Sequence, residues 1–222
     1  METPQLLLTA TFAFFTGCSK PLTAEEQAFV EEALSVSRSS LELSLADMED
    51  MEDLDLPVRS MSEDNDEEYL NKKAVQMRLG LLPTLMDNLN VETNVVKVKN
   101  CGDVDHAGGC VDAFDYENLS HQDATKEEIL EGAEDVEIKL TKWALEKYMA
   151  QYKNGDDQER LDALCTIGGK VLGHELTHTS GIDHNDNLNS WTDVAYEVGE
   201  GIYFYCNLGD EYDEYLYPQG DF

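Results

Sequence analysis

In Cys165-Thr-Ile-Gly-Gly-Lys-Val-Leu-Gly-His174-Glu175-Leu-Thr-His178-Thr-Ser-Gly181-Ile-Asp-His184, three of the chain's five histidines fall within eleven residues. His174 and His178 are one helical turn apart, so on a helix both imidazoles leave from one face and can reach one ion. Glu175 points to a neighbouring face, where it can meet a water at the ion without being a ligand. Gly181 stands where the helix should stop, because glycine takes the left-handed conformation of a C-terminal cap without a Cβ clash. The chain can then turn and bring His184 back to the same ion. Three neutral imidazoles leave a fourth tetrahedral position open, which is the donor set of a catalytic rather than a structural zinc. Upstream, Cys165 to Gly173 is apolar or small except for Lys170, as expected of a buried helix running into such a site.

The spacing His174-Glu175-x-x-His178-x-x-Gly181-x-x-His184 resembles the signature of the metzincin zinc peptidases, H-E-x-x-H-x-x-G-x-x-H, at every fixed position. The resemblance covers this helix and turn and no more of the chain. It implies a zincin-like α+β fold: a small sheet with an edge strand above an active-site helix, and a mostly helical C-terminal part. It implies Zn2+ held by His174, His178 and His184, Glu175 as general base, and a peptide or protein as substrate. The residues themselves reach as far as metal-activated water with a carboxylate base; peptide hydrolysis comes from the resemblance.

In one respect the chain departs from that family. Metzincins carry a methionine turn downstream of the third histidine, whereas Met149 is the last methionine here. Other third ligands therefore stay open. Asp193 to Tyr205 reads as a helix, and Glu197 or Glu200 on it would resemble the glutamate ligand of thermolysin-like or aminopeptidase-like zincins. Asp193 with Tyr196 gives the D-x-x-Y half of an aspzincin-like setting. Acidic residues are so common in this chain that one at a suitable distance carries little weight, and a solvated helix face explains Glu197 and Glu200 as well. Of Tyr196, Tyr203 and Tyr205, one is a candidate for stabilising an oxyanion.

The formal net charge is −32, from 47 acids against 15 bases. Phosphate binding needs a basic patch, so this balance argues against nucleic acid and anionic membrane surfaces as partners. Leu6 to Cys18 is apolar, ends in small residues, and is too short to span a bilayer comfortably. It reads as a signal peptide over residues 1–17, and Phe15-Thr-Gly-Cys18 resembles a bacterial lipobox, although Met1 to Gln5 carries no Lys or Arg. The expectation is an exported lipoprotein, in the outer membrane, periplasm or cell surface, touching a membrane only through lipid on Cys18. The remaining Cys101, Cys110, Cys165 and Cys206 are even in number, and no two have C-x-x-C spacing. Disulfides are expected, Cys101–Cys110 and Cys165–Cys206 being the preferred pairing.

Thr23-Ala-Glu-Glu26 opens an amphipathic helix with Phe29, Val30, Ala33 and Leu34 on one face. Residues 47–68 are dominated by acids, so 18–68 reads as an N-terminal helix and acidic tether, or as a propeptide, ahead of a metallopeptidase domain over 69–222. In that domain, 70–89 is helical with an interruption at Pro83, and 94–99 is a strand. Thr125 caps a further helix, and Val136-Glu-Ile-Lys-Leu140 is the edge-strand candidate against which a zincin would hold an extended substrate. Helices follow over 143–152, 158–179 and 193–206. Asp103-Val-Asp105 begins like a calcium loop, but Phe114 stands at position twelve, so a disulfide-closed loop is the better reading. His106 and His121 are read as surface histidines. Two other function classes remain: a zinc-binding but inactive surface lipoprotein for adhesion or scaffolding, and an acidic lipoprotein whose H-E-x-x-H holds no metal.

Overall fold

The computed structural model of this chain describes residues 19–50, 58–60, 69–102, 107–111, 122–184 and 193–208. The signal-peptide stretch, Cys18, Asp103, Asp105, His106, Phe114, His121 and the tail from Gly209 lie outside those residues, as does most of the acidic run. In chain order the elements are β1 (Lys20–Pro21), α1 (Ala24–Asp50), β2 (Val58–Arg59), β3 (Tyr69–Leu70), α2 (Lys72–Leu79), α3 (Leu82–Asn88), α4 (Val91–Asn94), β4 (Val95–Val98) and β5 (Gly109–Cys110). They continue as α5 (Lys126–Glu134), β6 (Ile138–Thr141), α6 (Lys142–Asn154) and α7 (Asp157–Cys165). A π-helical segment, Thr166–Gly173, joins α7 to α8 (His174–Thr179), and α9 (Val194–Leu208) completes them.

Helices begin where the sequence supplies caps. Thr23 N–H donates to Glu26 Oε2 at 2.7 Å and Glu26 N–H to Thr23 Oγ1 at 3.3 Å, closing the capping box of α1. Thr125 with Glu128 and Asp156 with Glu159 do the same for α5 and α7. Pro83 lies in the first turn of α3, where its missing N–H costs nothing, so the helical run over 70–89 divides into α2 and α3.

The fold is α+β, mostly helical, with a small mixed sheet in the order β1-β4-β6-β5. β4 and β6 are parallel, with Val95 opposite Ile138, while β1 and β5 run antiparallel to their neighbours. The edge assignment of Val136–Leu140 is corrected here: β6 is an interior strand, paired on both sides. Among the described residues the edge strand beside Glu175 is β5, with Gly109 opposite Leu140. Alternation along a strand reports which face is buried; it says nothing of how many neighbours the backbone pairs with.

Chain ahead of Tyr69 packs on the same core as the chain after it. β1 pairs with β4, and α1 buries Phe29, Val30, Ala33, Leu34 and Leu41 in the common core. The same helix face continues through Ser37, Ser40 and Ser44, all buried. Serine is small enough to bring α1 close to glycines of the facing helices: a Cβ on Gly168 would lie 2.1 Å from Ser37 Oγ, and one on Gly201 2.2 Å from Ser44 Oγ. A hydropathy reading misses this half of the interface because serine carries no apolar signal. α1 and β1 are thus packed parts of the folded body.

Both disulfides of the preferred pairing are present. Cys165–Cys206 ties the end of α7 to α9 across a sequence separation of 41. Closing a loop of that size should stabilise the fold by about 4 kcal/mol in the chain-entropy account. The Cys165→Ser/Cys206→Ser double variant should therefore lose about 2–5 kcal/mol in denaturant unfolding; a loss below about 1 kcal/mol would show that packing alone holds α7 to α9. Disulfides are compatible with an exported protein, and no described helix is long and apolar enough to cross a membrane.

Candidate metal centre

The helical rod from Asp157 to Thr179 carries the site at its C-terminal end. Its middle, the π-helical segment, holds Gly168, Gly169 and Gly173, each pressed against a neighbour. A Cβ on Gly169 would lie 2.6 Å from Tyr203 N, and one on Gly173 2.5 Å from Ile202 Cδ1. Bare backbone here lets α1 and α9 approach the rod closely. The wider helical turn ends directly before His174, the kind of position where π turns recur in proteins.

α8 presents His174 and His178 from one face, and both are buried. Gly181 adopts φ +87° and ends the helix, its N–H donating to His178 O at 2.8 Å. The turn brings His184 back. His178 Nε2 lies 3.1 Å from His174 Nε2 and 3.1 Å from His184 Nε2, and all three donor atoms lie within 4.8 Å of one another.

The outward ring atoms fix the protons. His178 Nδ1 faces the Ile182 carbonyl at 2.7 Å, and a carbonyl only accepts, so this Nδ1 carries hydrogen. His184 Nδ1 donates to Asp193 Oδ2 at 2.8 Å. When these two rings are neutral, the inward Nε2 of each is therefore a bare lone pair. Lone pairs 3.1 Å apart repel unless a proton or a metal cation sits between them. Tetrahedral zinc with Zn–N near 2.0–2.1 Å would separate its nitrogens by about 3.3 Å, which the observed spacing approaches. The three histidines thus form a group able to hold a metal ion.

Electrostatics favour the neutral, metal-donating form for two of the three rings. Burial holds His174 down to about 3, assisted by His178 and His184, and His178 down to about 4, assisted by His184, so both rings are neutral. For His184 burial disfavours charge, but the Asp193 hydrogen bond and charge outweigh it and raise its pKa. Glu175 is 5% exposed, and burial pushes it up to about 8 against the pull of His184. A bound cation would favour its ionised form.

The acidic alternatives are not brought into the triad. Asp193, 1% exposed, stands behind His184, and its Oδ1 accepts from Ala195 N at 3.0 Å and Tyr196 N at 3.3 Å at the start of α9. It both caps α9 and orients the ring. Glu200 pairs with Lys170 at 2.8 Å. Glu197 is half-buried on α9, outside the converging group. Beneath His174, Gly199 allows α9 to pack close: a Cβ there would lie 3.3 Å from His174 Cβ. Among the three tyrosines, Tyr196 stands over the site, its ring centroid 4.5 Å from that of His174 and 5.3 Å from that of His184. Tyr203 is turned away, donating to Asp162 at 2.7 Å.

Two contributors escaped the sequence reading. One is Asp193 as the partner of His184: its position just before an apolar helix signals a cap, and nothing local signals the ring. The other is Gly109 on β5. A Cβ there would lie 2.9 Å from Val171 Cγ1 and 3.3 Å from Glu175 Cγ, so glycine lets the sheet edge lie directly against the carboxylate.

Comparison of this chain with protein-family models, with curated proteins and with solved structures finds no match.

Proposed function

We propose that this chain is a zinc-dependent metallopeptidase, with His174, His178 and His184 as ligands and Glu175 as general base. The reading rests above all on three imidazoles whose nitrogens converge, two of them (His178 and His184) held by Nδ1 partners on the far side of the ring, beside a buried carboxylate. Zinc in such a set supplies a Lewis acid with an open position, lowering the pKa of water to about 7 and polarising a carbonyl. Glu175 takes the proton of the attacking water and passes it to the leaving amine. Asp193 and the Ile182 carbonyl keep His184 and His178 in the tautomer that directs Nε2 inward. β5, the outer strand of the sheet among the described residues, offers backbone groups to an extended peptide, which would add as a further strand beside Glu175. Tyr196, whose ring lies against His174 and His184, is the candidate to support a developing oxyanion. The field of a chain at −32 favours cationic peptides over acidic ones. The Leu6–Cys18 pattern supports export as a lipoprotein anchored at Cys18.

The test is metal analysis and a casein or peptide-library assay on residues 19–222. Close to one zinc per chain is expected, with hydrolysis that chelation abolishes and zinc restores. Less than roughly a tenth of an equivalent after reconstitution would sink the metal site. One zinc without turnover would favour a metal-binding surface protein instead.

A further inference from the structure

The chain around Ser60 comes from the acidic stretch that composition assigns to a tether, yet it reaches the metal loop. Ser60 forms an antiparallel bridge with Ile182. Both residues are buried, at 2% and 0% exposure, as is Val58. Ile182 is the residue whose carbonyl accepts from His178 Nδ1 at 2.7 Å, and it lies two positions before His184. On its other side the segment is anchored: β2 pairs with β3, with Val58 opposite Leu70 and Arg59 opposite Tyr69. Asn71, directly after β3, caps α2 by accepting from Ala74 N at 2.9 Å.

The loop from Gly181 to His184 needs such a partner. A turn through a left-handed glycine has several accessible backbone states. Only one sets the Ile182 carbonyl against His178 while presenting His184 to Asp193. Pairing Ile182 with a neighbouring strand removes most of that freedom.

We infer that the backbone of residues 58–60 is a positioning strap for the metal loop, fixing Ile182 and through it the aim of His178 and the return of His184. The inference rests on the metal reading above and extends it: metal retention depends on chain preceding Tyr69, and a propeptide shed on activation cannot include residues 58–60 without loosening the ion.

The test uses the full chain. Zinc affinity is measured by chelator competition, and the cobalt-substituted protein's visible spectrum reports ligand geometry. Ser60→Pro removes a backbone N–H and restricts the strand. It should weaken zinc binding about 10–100-fold, the range for groups that orient ligands, and alter the cobalt spectrum while far-UV circular dichroism stays unchanged. Ser60→Ala keeps the backbone and should lose much less affinity than Ser60→Pro. The proline variant can fail to fold, so hydrogen exchange on the wild type is the second measurement. Coupling is reciprocal, so zinc should slow exchange at 58–60 together with Ile182. A folded Ser60→Pro with wild-type affinity and spectrum would overturn the strap, as would unchanged protection at 58–60 on zinc binding. A loss in Ser60→Ala equal to that in Ser60→Pro would assign the effect to the side chain and overturn it too. A wild-type chain that binds no zinc is a different failure: it removes the metal reading, and the strap falls with it.

Discussion

Glu175→Gln should retain zinc at wild-type affinity and lose peptide hydrolysis by about two to four orders of magnitude, the usual worth of a general base. The two side chains are nearly the same size, so the buried position beside Gly109 and Val171 accepts the amide without a steric penalty. What changes is chemical: an amide cannot take the proton of water. Metal binding acts as the internal control, because Glu175 is not among the converging donors. Steady-state kinetics with parallel metal analysis would decide it. A variant that keeps most of the wild-type rate would remove Glu175 from the mechanism and leave the histidine triad untouched.

The second large effect belongs to the ligands. His178→Ala should abolish zinc binding, since His178 Nε2 is the atom nearest both other ring nitrogens and its Nδ1 anchors the loop through Ile182. His184→Ala should come close to it. Asp193→Ala should cost only about 10–100-fold, because it acts on the ion through the His184 ring. Glu197→Ala and Glu200→Ala should leave affinity nearly unchanged. Zinc titration of the set gives a ranking rather than a single value. If Asp193→Ala or one of the glutamate variants lost the metal while His184→Ala kept it, the third ligand would be acidic. Hydrolysis through Glu175 could survive that change.

Much of this site is local, and what is local was legible. The four-residue step from His174 to His178 puts two rings on one helical face whatever surrounds the helix. Gly181 marks the stop because glycine tolerates its φ of +87° better than other residues. The caps at Thr23 and Thr125 followed from residue types at short spacing, and the two disulfides from an even cysteine count and the preferred pairing.

The rest was decided by contacts between residues far apart in sequence. Val136–Leu140 shows the same alternation at a sheet's edge or in its interior; only pairing with β4 and β5 made it interior. Asp193 was one of several acids at a plausible distance from the histidines, and it became a ring partner rather than a ligand because the packing of α9 set its carboxylate behind His184. The serines of α1 carry no apolar signal, and only packing against Gly168 and Gly201 makes them part of a close-fitting face. The acidic stretch read as tether from its composition, which reports average solubility and cannot report that Val58 and Ser60 are buried beside Ile182. Sequence alone determined which atoms could bind an ion, because donor chemistry and helical spacing are properties of a few neighbouring residues. Tertiary structure decided which way those atoms face, because proton position and ring orientation depend on partners that the chain supplies from elsewhere.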